Sequence, residues 1–264
     1  MAVRDAIQRA TLEYRYYGYR RIAVQLQREG LMVSPKKVRR LMHDDNLVAI
    51  RRRKFVVTTD SDHRFRIHPN LAQHLELTDI DQLWVADLTY LRLEQEFAYL
   101  AVVLDAYSRR VIGWELGRSL EGHLTRDALE KAITARQPQP GLVHHSDQGI
   151  QYASQSYVDR LESCGAVLSM SRPGSPWENG KCESFIKTLK HEELEARQYR
   201  TIEELREHVT EFIEQIYNVK RLHSALAYQS PVEFEKQHES ERAWMPATLS
   251  FLRHKEIYSD GEFH

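Results

Sequence analysis

Three acidic residues in this chain combine a type and a setting suited to chemistry on a hard cation. Asp87 stands in the middle of the apolar, strand-forming run Trp84-Val85-Ala86-Asp87-Leu88-Thr89-Tyr90. A lone buried carboxylate there costs several kcal/mol unless a cation or hydrogen-bond donors compensate, so it needs a partner. Asp147 follows a second strand-like run in His144-His145-Ser146-Asp147-Gln148-Gly149. Ligands of mixed sheets commonly bind at such a carboxyl end, although Asp147 taken alone serves equally as a turn or helix-capping residue. Glu183 lies beyond Pro173-Gly174-Ser175-Pro176, and by itself, with Lys187 four residues on, it reads as one half of a surface ion pair. Fifty-nine residues separate Asp87 from Asp147, and 35 separate Asp147 from Glu183. Whether the three meet depends on the elements that carry them.

Residues 82–92, 98–105 and 110–116 are rich in Val, Leu, Tyr and Trp and are joined by short polar stretches, which predicts three antiparallel neighbouring strands. A helix over about 125–136, a strand over 142–145, a helix near 154–163, a strand over 166–170 and a helix beginning near Asn179 follow. The order βββαβαβα predicts an α/β fold with a mixed sheet covered by helices. It would put the first acid on the central strand, the second beside it and the third on a helix packed over both. Cys182, Ile186 and Leu189 repeat at helical spacing and face a core, while Lys187 and Lys190 share a face with Glu183. Glycine and proline at 173–176 predict a mobile loop over the site; Trp177 then either stacks on a displaced base or anchors that loop. His144 and His145 are open to metal ligation or to orienting hydrogen bonds. Asp105, ahead of Ser108 and Arg109, suits structural hydrogen bonding in a turn.

The N-terminal part differs in character. Residues 1–60 hold 14 Lys or Arg against 6 Asp or Glu, a net of +8, whereas the remainder holds 23 against 32, a net of −9. Apolar residues at helical spacing over 5–29, broken at Gly18 and closed at Gly30, predict two helices. Ser34-Pro35 then supplies an N-cap and a proline at the first helical position of a third. Its outer face carries Lys36, Lys37, Arg39 and Arg40, and Arg51, Arg52 and Arg53 follow, a helix-turn-helix pattern suited to a major groove and its phosphates. These boundaries divide the chain into a DNA-binding module at 1–57, a linker at 58–81, a catalytic core at 82–198, a helical extension at 199–236 opened by the capping box Thr201-Ile202-Glu203-Glu204, and a tail at 237–264.

With 42% hydrophobic and 28% charged residues, the composition is that of a soluble globular protein, and the longest apolar run, Tyr99 to Leu104, is too short to span a bilayer. Two cysteines, Cys164 and Cys182, make neither a disulfide framework nor a zinc finger, which suits a reducing cytosol.

The segments WVADLTY, YLAVVLDAYSRRVIGW, HHSDQGIQYAS, SMSRPGSPWENGKCESF and YNVKRLHSALAYQSP fall in order across about residues 18–236. In these the chain resembles the retroviral-integrase-like DDE transposases, specifically the second-reading-frame product of the insertion sequence three family. The resemblance implies an RNase H-like fold with a five-stranded sheet, a helix-turn-helix-like N-terminal domain and a helical C-terminal extension. It implies that Asp87, Asp147 and Glu183 bind two Mg2+ ions, which Mn2+ can replace, for DNA 3′-end cleavage and strand transfer. A Lys or Arg at the offset of Lys190 belongs to the family signature, which implies DNA contact by Lys190, and Lys187, Trp177 and Asn179 beside it are further candidate DNA contacts; Arg221 and His223, in the family's carboxyl-terminal motif, either contact DNA or brace the helical tail. Expected partners are transposon-end and target DNA, further copies of the chain in a synaptic complex and a first-frame product, in the bacterial cytoplasm at the nucleoid. The usual Asp-Asn-Ala before the glutamate is here Glu178-Asn179-Gly180, and Gln148 replaces a common Arg. A structure-selective nuclease of the same fold, or a non-catalytic repressor descended from a transposase, are the alternatives.

Overall fold

The computed structural model describes residues 2–45, 47, 66–120, 123–172 and 175–244. Arg51, Arg52 and Arg53, Pro173 and Gly174 of the expected loop, and residues 245–264 of the expected tail lie outside them.

Strands β1 (Leu83–Arg92), β2 (Phe97–Asp105), β3 (Val111–Gly117), β4 (Val143–Ser146) and β5 (Val167–Met170) form one sheet in the order β3-β2-β1-β4-β5. The first three strands are antiparallel neighbours, and β4 pairs parallel with β1 and with β5. The mixed five-stranded sheet is therefore present, with β1 at its centre. Side chains alternate across a strand, and both faces are covered. Leu83, Val85, Val102 and Leu104 pack with Cys182, Phe185, Ile186 and Leu189 of helix α7 (Gly180–Glu192). Trp84, Ala86, Ala101 and Val103 pack on the other face with Ala128, Leu129 and Ala132 of α4 (His123–Arg136) and with Tyr157 and Leu161 of α6 (Gln155–Ser163). At Gly113 in β3, α4 approaches so closely that a Cβ would lie 2.2 Å from the Ala128 carbonyl oxygen. The short helix α5 (Ile150–Ala153) leads from β4 into α6.

At the N-terminus, α1 (Ala2–Glu13), α2 (Tyr19–Arg28) and α3 (Pro35–Asp44) form the expected helical module, and the Ser34 hydroxyl caps α3 by accepting from the Lys37 N–H. Lys36, Lys37, Arg39 and Arg40 are all exposed. The core of the module contains Ile7, Ile22, Leu26, Val38 and Met42, and also Leu222 from the far end of the chain.

Beyond α7, α8 (Ile202–Glu211) begins at the expected cap, with the Thr201 hydroxyl accepting from the Glu204 N–H. The helix does not run unchanged to Asn218; it widens into π-type turns over Phe212–Tyr217. Asn218 then uses its side-chain amide to pair with both the N–H and the carbonyl of Val111, so the C-terminal segment closes the start of edge strand β3. The last helix, α9 (Pro231–Trp244), continues past the expected tail boundary at 237. Its anchor is ionic: buried Glu235 accepts from Ser108 Oγ at 2.7 Å, from Arg110 at 2.6 Å and from Arg136. Among the described residues no helix is long and apolar enough to cross a membrane.

Candidate active site

Strand register brings the first two acids together. Val85 pairs with His145 across the parallel β1–β4 ladder. Asp87 lies two residues beyond Val85 in β1, and Asp147 follows directly on the end of β4, two beyond His145, close enough for its charge to act on the Asp87 carboxyl. Glu183 stands in the first turn of α7, the helix packed on the Val85 face of the sheet. The electrostatics agree. Burial, then the charge of Asp147, with Glu183 adding to both, pushes the Asp87 carboxyl up to about 7; the Leu88 N–H, which donates to Asp87 at 2.8 Å, and the Lys190 ammonium act in the opposite sense. Asp147 is oriented by accepting from the Gly149 N–H at 2.9 Å, the turn-type bond its sequence allows.

The cations expected beside the acids are there. Lys187 pairs with Glu183 at 2.7 Å. Lys190 lies over the Tyr90 ring, 4.8 Å from its centroid, and burial lowers its pKa against the pull of Asp87. Tyr90 belongs to the Asp87 motif, but nothing in its spacing announced the contact. Trp177, in the 3-10 turn before α7, is 68% exposed, so its ring does not anchor the loop by burial and is open to a partner outside the chain. Asn179 differs from expectation. It is only 5% exposed and donates from its amide to the Ala86 carbonyl at 2.9 Å, so it faces inward and tethers the start of α7 to the strand position beside Asp87 instead of presenting itself to a duplex.

Glu178, one of the departures from the family pattern, accepts from the Arg172 backbone N–H at 2.8 Å, from the Arg172 guanidinium and from Asn70 Nδ2 at 2.9 Å. It ties Arg172, in the segment after β5, to the start of α7 and to Asn70 in the segment between the helical module and the sheet. His145 shares a 2.8 Å hydrogen bond with Ser169, and His144 one of 3.1 Å with Tyr157; burial lowers both imidazoles, to about 4 and about 3, so they are neutral orienting groups at pH 7. Asp105 accepts from the N–H groups of Asp81, Tyr107 and Ser108, the structural role its turn suggested. Arg221 braces: it binds Glu192 through two hydrogen bonds.

Among the described residues no three His, Cys, Asp or Glu side chains form a ready-made metal cage. Mg2+ does not need one, because it is typically held by one or two carboxylates together with waters and substrate phosphates. The donor set fits such an ion: three carboxylates, one of them held toward its neutral form by burial and by the other two, a cost that a divalent cation relieves.

The family comparisons cover both parts of the chain. The Integrase core domain family matches residues 79–176 and a second Integrase core domain family residues 165–231, and an HTH-like domain matches residues 2–55. The transposase for insertion sequence element IS904 of Lactococcus lactis subsp. lactis (strain IL1403) is 38% identical over 221 residues, which are 83% of this chain and 87% of the relative. The transposase InsF for insertion sequence IS3A of Escherichia coli (strain K12) is 33% identical over 222 residues, 84% of this chain and 77% of the relative. Among solved structures, the catalytic core of HTLV-2 integrase in complex with magnesium matches at 16% identity and a TM-score of 0.44, covering 59% of this chain and 97% of that one. With an integrase core, an HTH-like domain and relatives of this kind matched over most of their length, the chain belongs to the insertion-sequence transposases, in the group that includes IS3.

Proposed function

We propose that the chain is the catalytic subunit of a transposase that cuts DNA at the 3′ ends of an insertion sequence and joins those ends to new phosphodiesters. Asp87 carries this proposal. A carboxylate set into the central strand, raised well above its usual pKa by burial and by two further acids, favours a bound divalent cation that would relieve that cost. Asp87, Asp147 and Glu183 would hold two Mg2+ ions, with Mn2+ able to replace them; bound there, such ions lower the pKa of an attacking hydroxyl and stabilise charge on the leaving oxygen.

The side chains of the protein supply position. In the first step water attacks the phosphorus that follows the element's last nucleotide, the bond from phosphorus to that nucleotide's O3′ breaks, and a 3′-hydroxyl is released while the phosphate stays on the 5′ end of the flanking strand. In the second, that hydroxyl attacks a target phosphodiester and displaces another 3′-oxygen. Lys190, steadied on Tyr90, and Lys187 lie along α7 where they can hold the DNA backbone, and Trp177 offers an exposed ring to an unstacked base. Asn179 holds the start of α7 at the depth that lets Glu183 face Asp87. The exposed cations of α3, with Arg51, Arg52 and Arg53, would read the element end. The chain divides accordingly into a DNA-binding module to residue 57, a connecting segment to 81, a catalytic core to 198, a helical extension to 236 and a tail, and it would work on the bacterial chromosome as a multimer, with a first-frame product as a partner.

The test is incubation with Mg2+ and labelled duplexes carrying the element ends. Joined products that disappear in Asp147→Asn support the proposal; cleavage without joining would make the chain a nuclease, and binding without either reaction a repressor.

A further inference from the structure

The DNA-reading module does not hang from a tether. Leu222 is fully buried among the α1–α3 side chains, and its backbone N–H donates to the Tyr17 hydroxyl at 2.8 Å. The neighbouring residue grips the catalytic helix: Arg221 donates through Nε and Nη2 to the two carboxylate oxygens of Glu192, at 2.9 and 2.7 Å, with side chains only 7% and 11% exposed. Glu192 is the last residue of α7, and Glu183 lies nine residues earlier on the same helix. Two further contacts flank this grip. Tyr16 meets His191 edge to face at 4.9 Å, and Arg28 of α2 donates to both oxygens of Glu233 and to the Tyr228 carbonyl. The strap between these anchors is itself stiff. His223 and Gln229 pair as a β-bridge, and the intervening turn holds Ala227 and Tyr228 at φ 51 and 62.

A bidentate, largely buried ion pair fixes both distance and angle in a way that exposed ion pairs do not. Nine residues of α-helix span about 14 Å. The module is thus fastened to a rigid rod about 14 Å from the Glu183 end of it.

Building on the proposed function, we propose that residues 217–229 are a strap that makes the DNA-reading module and α7 a single rigid unit, so that a duplex bound on α3 presents one particular phosphodiester to the acids. Arg221 and Tyr17 are then positioning residues: they act through α7, not on the DNA, and set where the cut falls.

Two measurements on the full chain test this. Hydrogen exchange without DNA or metal reads the strap. Tyr17→Phe strands the buried Leu222 N–H and is expected to raise amide exchange in α1–α3 on the order of tenfold while β1 and β2 stay protected. Arg221→Ala leaves Glu192 buried without its partner and is expected to raise it on the order of a hundredfold. The reversed pair Arg221→Glu with Glu192→Arg should recover much of the protection; should Arg221→Ala fold poorly, Tyr17→Phe decides. Unchanged exchange in both variants would overturn the strap. Cut-site mapping reads the positioning. On element-end duplexes lengthened by one to five base pairs between the module's binding segment and the terminus, the wild-type chain should keep its cut at a fixed distance from that segment, and Tyr17→Phe should spread the cut over neighbouring phosphodiesters. Wild-type cuts that follow the terminus whatever the insertion, as would occur if a second copy supplied the acids, would refute the positioning. If no duplex is cut at all, the catalytic proposal fails, and with it the positioning, while exchange still decides the strap.

Discussion

Replacing Asp87 by Asn should make the metal-free protein more stable. The carboxyl is shifted from 3.8 to about 7 by burial and by Asp147 and Glu183. A group whose folded pKa is raised favours folding fully below its unfolded pKa, and that contribution is lost as pH rises through the folded value. At pH 8 the ionised Asp87 therefore costs an upper limit of ~4 kcal/mol, from ~1.4 kcal/mol for each tenfold change in its proton affinity. Part of the side chain still meets solvent, which screens the repulsion and brings the expected gain to ~2 kcal/mol. Asn keeps the shape and can still accept from the Leu88 N–H, so packing is unchanged. In a chain of this size ~2 kcal/mol moves the melting temperature up by roughly 4–8 °C. Thermal unfolding in EDTA at pH 8 and at pH 4 measures this, with the gain confined to the higher pH. Adding Mg2+ should reverse the order, because only the wild-type chain gains binding energy. A variant that melts at or below the wild type at pH 8, or whose advantage is the same at pH 4, would refute the argument from buried charge.

Lys190→Ala should weaken DNA binding and reduce the slope of log affinity against log salt by about 1 while leaving metal affinity intact; an unchanged slope in salt titrations would remove Lys190 from the DNA path. Gly113→Ala forces a methyl against the Ala128 carbonyl and should cost ~2 kcal/mol or more in denaturant unfolding, with α4 displaced from β3. Glu235→Gln leaves Arg136 and Arg110 without their carboxylate and should cost ~3 kcal/mol. Burial opposes ionisation of Glu235, but Arg136, Ser108 and Arg110 outweigh it and hold its pKa low, so its contribution is present above ~pH 4 and is lost as pH falls through the lowered value. A flat difference between variant and wild type from pH 7 to pH 3 would show that the pair contributes no linkage.

What was legible in the sequence follows from which interactions are local. Alternation with period two in β1 and β2 fixes which face each side chain takes, and once β4 is placed beside β1 the same parity puts Asp147 with Asp87. Glu183 follows because Cys182, Ile186 and Leu189 mark the buried side of its helix, leaving the acid at its edge. The inward turn of Asn179 was not legible: a polar residue ahead of a helix normally faces solvent, and only the tertiary approach of α7 to Ala86 offers it a carbonyl. The extent of α9 was hidden for a related reason. Its sequence has no apolar stripe, and the helix is held by Glu235 reaching Ser108, Arg110 and Arg136, more than 90 residues away. The π-type turns at Phe212–Tyr217 left no mark in the sequence, because Phe212, Ile213 and Tyr217 also fit one broad face of a regular α-helix. Leu222 is the sharpest case. Nothing near it in the chain predicts a partner in α1–α3, about 200 residues earlier, yet that contact carries the geometry on which cut-site selection is proposed to depend. Local pattern thus sufficed for the acids, because chemistry at a sheet is tied to strand parity. The placement of DNA against them depends on long-range packing that periodicity does not encode.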